Sequence, residues 1–227
     1  MRIILTILFL TYFVNSEAQI INARPVYRGV AVAGGSFAYD TIQVNMWDSL
    51  NNVGKMNTPA PNFWNNWSVN NANSTTQQAL SPYFKWRDGT QSTVQCKEVG
   101  YEGSNGYSNN TVGYGAASPA NSTGFPDSTF WVANYRLVSS TFTISGLNPV
   151  ATYTLQFLSS RNAATSRPQT FTINGTSVNL DAAFNKSTLV TFTDIAPNGS
   201  NQIVMTISQT ATYHYINAFR IIEKIAL

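Results

Sequence analysis

From Thr141 to Glu223 apolar and polar residues change places with a period of two. Phe142 and Ile144 alternate with Thr141, Thr143 and Ser145, and Tyr153, Leu155 and Phe157 alternate with Thr152, Thr154 and Gln156. Gly146, Asn148 and Pro149 break the run between them. Such alternation buries one face of a strand and wets the other. Gln169–Ile173 and Ser177–Leu180 flank Asn174-Gly175, a strong two-residue hairpin signal. Thr188–Thr193 follows, then Ile203, Met205 and Ile207 on one face, and a last strand over Tyr213–Glu223. Strands at about 8–12-residue spacing with Gly and Pro turns predict an all-β chain folded as an antiparallel β-sandwich.

The first half is less regular. Thr41–Trp47 alternates as a strand, and Tyr83–Trp86 and Ser92–Val99 form a second pair around Asp88-Gly89. Between them lies an Asn-rich region, 51–76, and after them a glycine-rich one, 100–124, both read as long loops. Phe130–Leu137 is a short expected strand. All five tryptophans fall between Trp47 and Trp131. A regular frame carrying irregular aromatic loops suits a binding protein.

Composition agrees with this. Charged residues make up 10%, aromatics 13%, and Asn and Thr occur 25 times each, which favours strands and turns over helices. The net charge is +3, with Lys and Arg scattered, so no stripe is present that would track a nucleic-acid backbone. Arg2, the apolar stretch Ile3–Val14 and Ser16-Glu17-Ala18 have the form of a secretory signal peptide, cleaved near Ala18. At roughly 12 apolar residues it is too short for a membrane span, which takes about 20. The expected organisation is a signal peptide over 1–18 and one domain over 19–227, secreted or at the cell surface. A lone cysteine, Cys96, rules out an intrachain disulfide and is expected to be buried.

The chemistry that the sequence offers is mostly binding chemistry. His214 is the sole histidine, too few for a zinc site. No cofactor is expected, although a structural Ca²⁺ held by carbonyls and one or two Asp would leave little trace. A glycosidase needs two converging carboxylates, for which Glu98 and Glu102 are the nearest pair, and an esterase needs a serine beside His214. Flat aromatic rings instead cover the apolar faces of sugars. Trp64, Trp67, Trp86, Trp131, Tyr101, Tyr107 and Tyr114 are the loop candidates. Arg161 and Asn217 could add polar contacts, or could serve the fold, Arg161 by pairing with Asp127 and Asn217 by satisfying buried backbone.

Several segments together resemble a family: Trp64-Asn65-Asn66-Trp67, the turn Gly124–Asp127, Ser145–Pro149, the strand ending at Arg161, the hairpin running to Asn185, and Tyr215–Ile221. They look like extracellular galactose-binding-like jelly-roll domains of Bacteroidetes and related bacteria. The resemblance implies a jelly-roll β-sandwich that binds a glycan or polysaccharide without catalysis. The alternatives are a structural, adhesive or self-associating surface protein, and a glycosidase or esterase.

Overall fold

A computed structural model describes residues 37–47, 54–68, 78–100, 106–109, 121–137, 139–210 and 213–226. The expected signal peptide, Tyr101, Glu102 and Tyr114 lie outside them. The strands in chain order are β1 (Phe37–Met46), β2 (Asn65–Trp67), β3 (Gln78–Leu80), β4 (Gln95–Gly100), β5 (Gly106–Asn109), β6 (Val132–Arg136), β7 (Ser140–Ser145), β8 (Thr152–Leu158), β9 (Pro168–Ile173), β10 (Thr176–Asp181), β11 (Val190–Ile195), β12 (Ile203–Gln209), β13 (His214–Ile216) and β14 (Ala218–Ala226). One 3-10 turn, Asp127–Phe130, precedes β6.

The strands form a five-stranded sheet, β11-β8-β14-β1-β2, and a six-stranded sheet, β10-β9-β12-β7-β4-β3, with a smaller sheet β13-β6-β5. All pairs are antiparallel except β1 with β2. The large sheets pack face to face as a sandwich. Ile42, Val44, Leu155, Phe157, Phe219 and Ile221 from one meet Cys96, Phe142, Ile144, Phe171, Met205 and Ile207 from the other. Phe142 meets Phe219 edge-on at 5.4 Å, and Phe157 lies 5.7 Å from Phe171. The alternation that begins at Thr141 is therefore the inner face of the sandwich: Phe142, Ile144, Tyr153, Leu155 and Phe157 are all buried. Cys96 is buried too, and burial pushes its thiol well above its ordinary value.

Three local readings change. The glycine-rich stretch contains a strand, β5, paired along β6. The pairing around Asp88-Gly89 is a short hairpin, with one bridge from Lys85 to Gln91 and backbone bonds from the Trp86 amide to Thr90, the Ser92 amide to Phe84 and the Phe84 amide to Val94, and its second arm starts as a full strand only at Gln95. The last expected strand divides at Asn217 into β13, in the small sheet, and β14, in the five-stranded one. Asn217 turns this corner. Its Nδ2 donates to the Val132 carbonyl at 3.1 Å, and its Oδ1 accepts from the Ser160 amide at 2.6 Å.

Candidate functional site: a cleft on the outer face of the five-stranded sheet

Because Ile42, Val44, Phe219 and Ile221 face the core, their neighbours on β1 and β14 face outward. Thr41 pairs with Ile222 and Gln43 with Arg220, and these four side chains floor an open cleft of about 650 Å³. One wall is Thr58, Asn62 and Trp64 with Arg87, and the other is Gly124, Phe125 and Pro126.

Short polar links hold the first wall against the edge of β1. The Arg87 amide donates to the Thr41 carbonyl at 2.7 Å, and the Phe63 amide to the Arg87 carbonyl at 2.9 Å. Asn65 ties the same edge together. Its Nδ2 donates to the carbonyls of Gln43 and Lys85, and its Oδ1 accepts from the Lys85 amide. The opposite wall is shaped by Asn121, whose Nδ2 donates to the Phe125 carbonyl at 2.6 Å and to Asp127 Oδ1 at 2.8 Å. Phe125 meets Trp64 edge-on at 5.7 Å within a second apolar cluster that includes Met56, Phe130, Leu158 and Ala218.

Two guanidinium groups supply the charge of the cleft. The Arg220 guanidinium carbon lies 4.2 Å from the centre of the Phe125 ring and 5.7 Å from that of Trp64. Its Nη2 donates to the Gly124 carbonyl at 2.7 Å and its Nε to Gln43 Oε1 at 3.2 Å. Arg87 donates from Nε to the Pro61 carbonyl and from both Nε and Nη2 to Asn62 Oδ1. Burial, and then the Arg87 charge, pull the Arg220 guanidinium below its ordinary value. Among the described residues no carboxylate lines the cleft.

The residues singled out from sequence are dispersed. Trp64 is at the cleft, as part of its wall and only 4% exposed. Trp67, three positions on, points the other way into the sandwich core, edge-on to Phe84, Phe142 and Phe219. Trp86 is also buried there, and Asn217 is wholly enclosed at its corner. Trp131 is exposed, away from the cleft lining. Tyr107 sits on β5, of which only the backbone is described. Arg161, beyond the end of β8, forms an isolated main-chain bridge with Ala183, and Asp127 is held by Asn121. Burial raises the Tyr215 phenol against the opposing charges of Arg161 and Arg167. Sequence reading missed Gln43, Asn62, Arg87, Phe125 and Arg220. The available signal was Arg220 at an outward position between the inward Phe219 and Ile221 of the final strand.

A second polar cluster is sealed inside. Glu98 on β4 meets Arg136 Nε at 3.1 Å, accepts from Ser140 Oγ at 2.9 Å and Asn134 Nδ2 at 2.7 Å, and lies 3.5 Å from His214 Nε2. Ser140 Oγ is 3.1 Å from the same imidazole nitrogen. This is the serine–histidine proximity that an esterase needs, but Ser140 and His214 are only 2% and 1% exposed, and the cleft lies elsewhere. Burial pushes the Glu98 carboxyl up. The His214 hydrogen bond, the Arg136 charge and the Ser140 hydroxyl outweigh it and bring the carboxyl to about 2. Among the described residues no group of three His, Cys, Asp or Glu is placed to hold a metal ion, and no helix is long and apolar enough to cross a membrane.

No protein-family model matches the chain, and none of the curated proteins matches it. Among solved structures it is similar to the extracellular domain of ANXUR1 from Arabidopsis thaliana, with 9% identity over 83% of this chain and a TM-score of 0.46. The chain spans 49% of that ectodomain, about half its length. A family 35 carbohydrate-binding module from Clostridium thermocellum matches 45% of this chain and 84% of its own at 15% identity and a TM-score of 0.27. The exo-β-1,3-galactanase of Phanerochaete chrysosporium, solved with galactose, matches 65% of this chain and 33% of its own, at 15% identity and a TM-score of 0.28. They do not support the Bacteroidetes-type origin that the sequence resemblance implies.

Proposed function

We propose that this chain is a secreted, non-catalytic carbohydrate-binding domain, and that the sugar docks in the cleft between Arg87 and Arg220. The observation that carries this reading is the cleft itself: an open groove of about 650 Å³ in which an aromatic wall stands beside guanidinium, amide and hydroxyl groups. A sugar presents apolar C–H faces and a rim of hydroxyls, and binding sites for such ligands combine apolar lining with a few fixed polar groups. Arg220, held beside Phe125 and bonded to Gly124 and Gln43, is such a fixed group. The rings of Trp64 and Phe125 serve as backing for it and not as broad open platforms, because both are almost wholly covered.

Among the described residues the cleft lining holds no carboxylate, which supports binding over glycoside hydrolysis, since that takes two of them across the bond. In this reading the binding uses no cofactor, and the N-terminal segment 1–18 directs export. A glycan array with the purified protein, followed by a reducing-sugar assay on whatever binds, tests the proposal. Binding to a defined set of glycans with no release of reducing ends is the expected result. Release of reducing ends would point to the glycosidase alternative, and self-association with no glycan bound would point to the adhesive one.

A further inference from the structure

We infer that the cleft selects an acidic sugar, seating a uronate carboxylate or a sulfate ester between Arg87 and Arg220; this rests on the reading of the cleft as a glycan site. Both guanidiniums line the same groove, and every acceptor that they engage among the described residues is neutral. Arg87 bonds the Pro61 carbonyl and the Asn62 amide oxygen, and Arg220 bonds the Gly124 carbonyl and the Gln43 amide oxygen. These contacts use Nε and Nη2 of each group and fix its plane. They leave Nη1 of each without a protein acceptor among the described residues.

The acids next in sequence to the lining residues are engaged elsewhere. Asp88 accepts from the Thr90 amide and hydroxyl, Asp127 from Asn121, Asp40 from the Thr41 amide, and Glu223 from the Tyr153 hydroxyl. None of the four lines the cleft. The two like charges therefore share the groove with neutral partners only among the described residues, and the partly buried Arg220 feels Arg87 as a repulsion. A neutral sugar would satisfy the spare N–H groups through its hydroxyls and leave that repulsion in place. A carboxylate or sulfate would satisfy them and remove it. Planar guanidinium donors also match such oxyanions in pairs, with stronger hydrogen bonds than neutral acceptors give.

The test is a paired panel. Uronate-containing and sulfated oligosaccharides are each titrated into the purified protein beside the carboxyl-reduced or desulfated form of the same chain. The expected result is that at least one acidic member binds roughly ten- to a hundredfold more tightly than its neutral counterpart, the size of a charge-assisted contact. The preference should shrink as salt rises, and Arg87→Gln and Arg220→Gln should each abolish it. Which arm responds tells carboxylate from sulfate. Arg87 is exposed and bonds only the loop beside it through its side chain, so its variant keeps the test alive should the Arg220 variant fold poorly. Equal affinity for acidic and neutral partners would overturn the inference while leaving the glycan reading intact. No binding by any member would overturn both.

Discussion

Trp64 and Trp67 stand three residues apart on one short extended segment and face opposite sides of the five-stranded sheet. Their identity is legible in the sequence, but the side that each faces depends on the register of β2 along β1, set by Val44 against Asn65 and Met46 against Trp67. Shifting a strand by one residue exchanges its faces, and nothing within the motif states the register. Asn217 is a similar case. Its position in the alternation was visible, but its role at a corner required Val132 and Ser160 to arrive from distant parts of the chain. Glu98 has a measurable consequence at this scale. Its folded value of about 2 lies below the ordinary 4.5, so its contribution to stability is fully present above pH 4.5 and is lost as pH falls from there toward 2. That contribution is on the order of 3 kcal/mol. Urea denaturation across pH 2–6 should show this acid loss in the native chain, and Glu98→Gln should flatten it while lowering stability at neutral pH. An unchanged acid limb in the variant would remove Glu98 from the account.

Among the elements, the hairpins were the easiest to read and the long loops the hardest. Asn174-Gly175 joins β9 to β10 with φ of 48° and 80°, the left-handed pair that the two-residue turn demands. The glycine-rich stretch hid β5, because its pairing with β6 is decided by tertiary contact and not by its own side-chain pattern. Two glycines at turns separate backbone conformation from packing. Both Gly146 and Gly175 have positive φ, but a Cβ on Gly175 meets nothing within 4 Å, whereas one on Gly146 would sit 2.0 Å from the Thr93 carbonyl oxygen. Gly175→Ala should therefore cost about 1–2 kcal/mol, the left-handed penalty alone. Gly146→Ala should cost clearly more, since the β7–β8 corner must move off the segment before β4. Equal losses in chemical denaturation would mean that this corner yields without cost.

At the scale of the whole molecule, alternation in the second half specifies a sandwich, and the tryptophans of the first half do not by themselves specify a site. The cleft is assembled from β1, β14, the segment before β2, the Arg87 loop and the Gly124–Pro126 turn. Its residues span Thr41 to Ile222, and no single stretch of sequence contains enough of them to form a motif. The large aromatics were the conspicuous feature, yet Trp67 and Trp86 build the core, and the groups best placed to bind are two arginines that look unremarkable in sequence. The account therefore rests on ligand contact at these arginines. Nitrogen-15 chemical-shift mapping during titration with a glycan that the protein binds tests this most directly, since arginine Nε–H groups can be observed individually. The account predicts saturable shifts at the Arg87 and Arg220 Nε–H signals and at the Gly124 and Phe125 amides. Shifts confined to the surroundings of Trp131 or another surface, with the two arginines unmoved, would contradict it.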